Sequence, residues 1–338
     1  MTTALPVAIS MGDPAGIGPE IIARLFRRRP ERSSRCVVVG DLDVMRRATA
    51  IFDGMQPVAV LDDWSDAVCV PPGALPVLPR VRLRMPAPLG QVSAQAGLAA
   101  AQAIEQGAQA ALERRVSALV TAPIHKAALH AAGIGYPGHT EYLQALAAAH
   151  LGRPVSAVPV RMMLSSPELS TVLVSIHVSL RAAIEAVTTG NVLQTIRIAD
   201  RHFRQVMGLQ RCRVAVAGLN PHAGEGGLFG DEETLVISPA IEQARAEGID
   251  VSGPWPPDTV FMKAREGFCD VVVAMYHDQG LIPVKYLGLA HGVNTTLGLP
   301  FLRTSPDHGT AFDLAGTGRA DPSSLEAAVR AALPQPTP

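Results

Sequence analysis

Residues 271–322 read VVVAMYHDQGLIPVKYLGLAHGVNTTLGLPFLRTSPDHGTAFDLAGTGRADP. The apolar run 271–275 stops at Tyr276-His277-Asp278-Gln279-Gly280. β-Branched residues halted by a polar, Gly-containing turn predict a buried strand whose carboxyl end opens into a loop. Lys285, Asn294 and Arg303 follow, and then a small-residue loop, Asp307-His308-Gly309-Thr310. One stretch therefore supplies a candidate metal ligand, cations suited to an anion, and a loop open to close ligand approach.

Outward from this stretch the same signal recurs. Strands are expected at 5–11, 36–40, 116–121, 171–177 and 214–220, with helices over 93–112, 141–150, 180–207 (interrupted near Gly190) and 232–248. Thr140 is placed to cap the second of these helices. The first strand runs into Gly12-Asp13-Pro14-Ala15-Gly16-Ile17-Gly18-Pro19-Glu20 and a helix ending near Arg28. Pro19 and Glu20 suit a helical first turn. The loop matches neither GxGxxG nor the P-loop, so a tight turn and a ligand loop are both open. This strand–helix alternation argues for mostly parallel sheets covered by helices. A chain of 338 residues has room for two α/β domains. The expected split is 1–130 with 290–338, against 131–289. The proline-rich segment 71–90 reads as an extended connection or sheet edge, and 334–338 as a frayed tail.

Composition narrows the class. Hydrophobic residues are 48% and charged residues 17%, which fits a compact enzyme rather than a disordered chain. A formal net charge of −1 offers no field for nucleic acid or an anionic membrane. Lys126, Lys263 and Lys285 are the only lysines beside an Arg-rich background. The basic run from Arg24 to Arg35 reads as a solvated helix end, since no aromatic residues interleave. Cys36, Cys69, Cys212 and Cys269 form no CxxC pair, which suits a reducing compartment. Without a basic apolar leader or a long apolar run, a cytoplasmic location is expected.

Three of the ten histidines share one kind of position. His177 ends SIH, His222 ends LNPH and His277 ends AMYH, each where an apolar run gives way to a loop. Any one alone reads as an ordinary loop or core histidine. Three alike point to a shared divalent-metal site at the carboxyl ends of strands, with open positions for substrate oxygens. Spacing does not say whether all three come from one subunit. Lys285 and Arg303 flank an otherwise apolar run, so with Asn294 they read as an anion cradle rather than surface charges.

The string Asp307-His308-Gly309-Thr310-Ala311-Phe312-Asp313-Leu314-Ala315-Gly316 is similar to the adenosine-binding loop of isopropylmalate and isocitrate dehydrogenases. With GDPAGIGPE, TAPIHKAAL, GHTEYL, SIHVSL, LNPHAGEGGLFGDEE, PPDTVF, AMYHDQGLIPVKYLG and GVNTTLGLPFLRTS, the chain resembles the 4-hydroxythreonine-4-phosphate dehydrogenase family of vitamin B6 biosynthesis. The resemblance spans about residue 7 to 330; Pro306 and Phe312 stand where the family usually has small or medium aliphatic residues. It implies a two-domain isocitrate/isopropylmalate dehydrogenase-like α/β fold with an inter-domain cleft. It implies a homodimer with the site at the subunit interface, and metal ligands at His177, His222 and His277, the last reaching across. Substrate contacts are implied at His139, Thr140, Lys285, Asn294 and Arg303. The nicotinamide cofactor, NAD or NADP, is implied at Asp307, His308, Gly309, Thr310, Ala311, Ala315 and Gly316, with one zinc, magnesium or cobalt per subunit.

The expected reaction is metal-assisted oxidation of 4-phosphooxy-L-threonine, with Asp258 or Lys126 accepting the hydroxyl proton. Loss of CO₂ would then give 3-amino-2-oxopropyl phosphate. Threonate or erythronate phosphates and cis-dihydrodiol carboxylates are rival substrates on the same scaffold. A three-histidine metal hydrolase, a phosphate acyltransferase and a non-catalytic phosphate-binding module are rivals of other classes. The 307–316 loop opposes the first two, and the three histidines oppose the last.

Overall fold

The computed structural model describes residues 5–288 and 291–333. The tail 334–338 lies outside them. The chain forms two compact units, Met1–Pro159 with Leu299–Pro338, and Val160–Gly298. The sequence boundary near 130 falls short of 159 because Tyr142 and Leu143 bury in the first unit's core beside Ile104 and Leu129.

The first unit opens with β1 (Val7–Ser10), α1 (Gly18–Arg28), β2 (Cys36–Val39), α2 (Leu42–Thr49), β3 (Val58–Val60) and β4 (Leu75–Leu78). It continues with α3 (Ala94–Leu112), β5 (Ala118–Thr121), α4 (Lys126–Ala131) and α5 (His139–His150). The second unit contains β6 (Arg161–Ser165), β7 (Ser170–Leu173), α6 (Leu180–Ala186), α7 (Thr189–Gln205), β8 (Val214–Ala217) and α8 (Ser238–Ala246). After these come β9 (Val251–Trp255), α9 (Val260–Arg265), β10 (Val271–Ala274), α10 (His277–Tyr286) and β11 (Val293–Leu297). The chain then returns to the first unit with β12 (Leu302–Pro306) and α11 (Ser323–Ala332).

The first unit's strands run β3-β4-β2-β1-β5-β12, all parallel. The second unit's run β11-β6-β7-β10-β8-β9, with β6 antiparallel to both neighbours. Strands buried on both faces need apolar residues throughout, and CVVV, VAVA and VVVA are fully buried. Parallel neighbours put their following loops at one sheet edge. In the first unit that edge gathers the loops after β1, β5 and β12. In the second it gathers those after β7, β10 and β8, which lead to His177, His277 and His222.

Several expectations change. The segment 71–90 contains an interior strand, β4, paired on both sides despite Pro76. The interruption expected near Gly190 is present, since Thr188 caps α7 by accepting from Asn191 N. The basic run 24–35 is not merely solvated. Arg24 donates to Ala320 O, Arg27 to Gly54 O, and Arg29 bonds Glu326, so the helix end ties down other segments. No helix among the described residues is long and apolar enough to cross a membrane.

Candidate active site

In the first unit, Arg303 is the second residue of β12 and is only 2% exposed. Its Nε and Nη2 both donate to Thr121 Oγ1, at 3.1 and 2.6 Å. Burial pulls its pKa down to about 9, with the Glu141 carboxylate opposing the shift. His139 starts α5, and its Nε2 is shielded from water with no hydrogen-bond partner among the described residues. Burial first, and the Arg303 cation second, hold the His139 imidazole well below its usual range. It is therefore neutral near pH 7 beside a buried guanidinium. Thr140 is not the cap, as expected, but the second helical residue; Gly138 takes the cap position in extended backbone. Thr140 N thus belongs to the first turn, where amides lack intrahelical acceptors and the dipole favours anions. A phosphate or carboxylate fits this combination.

The two glycine-containing loops of the first unit are laced together. Ile17 N donates to Thr310 O at 3.0 Å, and a Cβ on Gly16 would lie 2.9 Å from Thr310 Cβ. Glu20, expected to act on the helix dipole, is instead buried and accepts from Gly316 N and Ala320 N at 2.9 and 3.3 Å. His125 stacks on Phe312 with ring centroids 4.7 Å apart. Asp13 is fully buried; Oδ1 accepts from Ala15 N, and Oδ2 has no partner among the described residues. Burial raises its pKa, partly offset by the Ala15 bond and by His125. Asp307, Ala311, Ala315 and Gly316 are half-buried, Thr310 is buried, and His308 and Gly309 are exposed. A Cβ on Gly309 would meet no described atom within 4 Å, so protein packing does not demand the glycine there. Small residues, open space and a stacked ring pair fit a flat dinucleotide moiety.

In the second unit, His177 and His222 have φ of +50° and +54°, a backbone region that costs about 1–3 kcal/mol for such residues and clusters at functional sites. His277 is the first residue of α10, and its Nδ1 lies 2.7 Å from Asp278 Oδ1. A carboxylate on one ring nitrogen orients the other as a metal ligand. The His177 and His277 rings are 5.7 Å apart, while His222 lies 6.0 Å from Phe229. The described residues contain no group of three or more His, Cys, Asp or Glu arranged to hold a metal. Two imidazoles are thus brought together without a closed ligand set. The donor chemistry fits a divalent ion: exposed strand-end imidazoles, one already oriented by a carboxylate.

Lys285 lies on α10 rather than in a loop, because Tyr276-His277-Asp278 begins a helix. Gly280 lets that helix pack, since a Cβ there would lie 2.4 Å from Leu173 Cδ2. Lys285 is exposed; Asn294 on β11 is half-buried, its Oδ1 without a partner among the described residues. Asp258 is exposed in the turn before α9, and Lys126 is exposed at the start of α4. Lys263 sits over the Trp255 ring at 4.8 Å, which gives it a packing role. Asp13 and His125 lack a sequence signal beyond their motifs.

The chain matches the family model described as pyridoxal phosphate biosynthetic protein PdxA over residues 32–332. It is 54% identical over 335 residues to a 4-hydroxythreonine-4-phosphate dehydrogenase of Beijerinckia indica subsp. indica, covering 98% of this chain and 96% of that protein. It is 46% identical over 332 residues to a D-threonate 4-phosphate dehydrogenase of Salmonella typhimurium, covering 97% and 98%. Among crystal structures, a 4-hydroxythreonine-4-phosphate dehydrogenase from Klebsiella pneumoniae superposes with a TM-score of 0.88 at 43% identity, covering 98% of this chain and 97% of that one.

Proposed function

Because the chain belongs to the PdxA family of pyridoxal phosphate biosynthetic proteins, we propose that it oxidises 4-phosphooxy-L-threonine, using a nicotinamide cofactor and a divalent cation. The C3 hydroxyl gives up its proton and C3 its hydride, leaving a β-keto acid that loses CO₂ to become 3-amino-2-oxopropyl phosphate. The observation that carries this reading is the buried Arg303 beside neutral His139 at the α5 N-terminus.

Arg303 supplies a fixed cation for a substrate oxyanion, and Thr121 fixes its fork. Neutral His139 can accept or donate one hydrogen bond without adding charge, and Thr140 contributes its hydroxyl. Lys285 and Asn294 are the other proposed substrate contacts. A zinc, magnesium or cobalt ion on His177, His222 and His277 would acidify the substrate hydroxyl, and NAD or NADP would take the hydride. The 307–316 loop, with Asp307, His308, Gly309, Thr310, Ala311, Ala315 and Gly316, would receive the adenosine part. Lys126 and Asp258 remain the proposed proton acceptors.

A homodimer belongs to the same reading. Following the three histidines along the chain, Leu180, Leu228, Ile282 and Tyr286 are exposed by 62, 73, 63 and 91%. Apolar side chains so exposed beside a site are a natural surface for a second copy. Sedimentation of purified protein tests this, and a monomer at micromolar concentration would contradict it.

D-Threonate 4-phosphate is the second reading, favoured by the 46% identity to the Salmonella typhimurium protein. It offers the same hydroxyl, carboxylate and phosphate, with a C2 hydroxyl in place of the amine. Parallel assays of both substrates, with NAD⁺ and with NADP⁺, separate the two. Greater kcat/KM on D-threonate 4-phosphate would overturn the first reading.

A further inference from the structure

We infer that Glu233 and Gln279 are positioning residues for the histidine-bearing loops, a brace fixing the spacing of three strand ends before any metal arrives. This inference rests on the metal reading proposed above. The geometry that carries it lies wholly within the second unit.

The brace is a continuous hydrogen-bonded path. Ser175 Oγ, two residues before His177, donates to Met275 O at 3.0 Å. Met275 N, two residues before His277, donates to Gln279 Oε1 at 2.7 Å. The other end of the same amide, Gln279 Nε2, donates to Gly218 O at 2.7 Å. Gln279 thus joins the end of β10 to the end of β8, using both halves of its side chain. Beyond Gly218, Glu233 Oε1 accepts from Leu219 N and Asn220 N at 2.7 and 2.8 Å, and Glu233 Oε2 from Asn220 Nδ2 at 3.0 Å. His222 lies two residues beyond Asn220.

The segment so held is strained. His222, Ala223, Gly224, Glu225 and Gly226 all have positive φ, from 44° to 80°. Three of them are not glycine, so the left-handed turn persists only where its surroundings over-determine it. Glu233 is the group that does so. It is 4% exposed, and a Cβ on Gly224 would lie 2.7 Å from its Oε2. The buried Glu233 side chain satisfies two backbone amides that would otherwise be left unpaired. Both side chains are engaged in these hydrogen bonds, and outer partners of this kind typically change metal affinity by roughly 10- to 100-fold.

The test titrates cobalt(II) into full-length metal-free protein and follows its visible d–d bands. Glu233→Ala and Gln279→Met should each weaken cobalt binding by roughly 10- to 100-fold and shift the bands. Glu233→Gln keeps an acceptor for Leu219 N and Asn220 N, and should return affinity to within a few-fold of wild type. Folding is checked by circular dichroism; should Glu233→Ala fail to fold, Gln279→Met decides. Folded variants with wild-type affinity and bands would overturn the brace alone. Wild-type protein that takes up no cobalt would overturn the metal reading, and the brace with it.

Discussion

Arg303 is a cation removed from water, held on Thr121 with Glu141 as the acid raising its pKa against burial. Losing it should cost about 1.5–3 kcal/mol of binding to a phosphorylated substrate, the usual worth of a charged hydrogen bond. Arg303→Ala should therefore lower kcat/KM by roughly 10- to 150-fold; an unchanged value would remove Arg303 from the site. His222→Ala should abolish metal retention and turnover while leaving a folded protein, checked by metal analysis after gel filtration; full metal content would refute its role as a ligand. Two histidines whose rings are shielded from water carry a pH signature. Burial lowers His139 well below the usual imidazole range and His202 to about 4. The unfolded chain binds protons on both near pH 6.5, the folded one only at lower pH. Stability should thus be intact above about 6.5 and fall as pH drops toward about 4. Denaturant midpoints that stay flat across that window would contradict the burial. His139 and Arg303 are legible in GHTEYL and FLRTS. Asp13 and Glu20 are not, because nothing local says that Glu20 reaches a backbone amide 296 residues away.

At the scale of elements, α3 and α4 approach so closely that Gly97 has no room for a side chain. A Cβ there would sit 2.0 Å from Ala128 O. Helix propensity alone favours Gly→Ala by up to about 1 kcal/mol, but forcing a methyl into packed backbone typically costs 1–3 kcal/mol. Gly97→Ala should therefore lower the melting temperature, and a raised one would show that the helices separate freely. The α3 span is legible in its Ala-rich run, and Ser93 caps it by accepting from Ala96 N. The strands after which His177, His222 and His277 come are legible for the same kind of reason: short apolar runs end at polar turns. Strands β6 and β11 carry polar residues in RMMLS and VNTTL, and neither run shows a clean period. The start of α10 is hidden too, because His-Asp-Gln-Gly reads as a loop until Gly280 is seen against Leu173.

Across the whole molecule, each unit carries some of the proposed groups. The first holds Arg303, His139, Thr140 and the paired glycine loops; the second holds the three histidines, Lys285 and Asn294. The alternation that predicts two α/β units is a global pattern and survives errors in single elements. Unit boundaries are not, since they depend on where Tyr142 and Leu143 find a core. The account's central claim is that these groups serve a metal-dependent hydride transfer from a phosphorylated hydroxy acid. The most direct measurement is absorbance of the reduced nicotinamide when purified protein is given 4-phosphooxy-L-threonine, NAD⁺ or NADP⁺, and zinc, magnesium or cobalt. Reduction that stops on chelation and returns with metal is the predicted result. No reduction with this substrate or D-threonate 4-phosphate, or reduction indifferent to chelation, would contradict it.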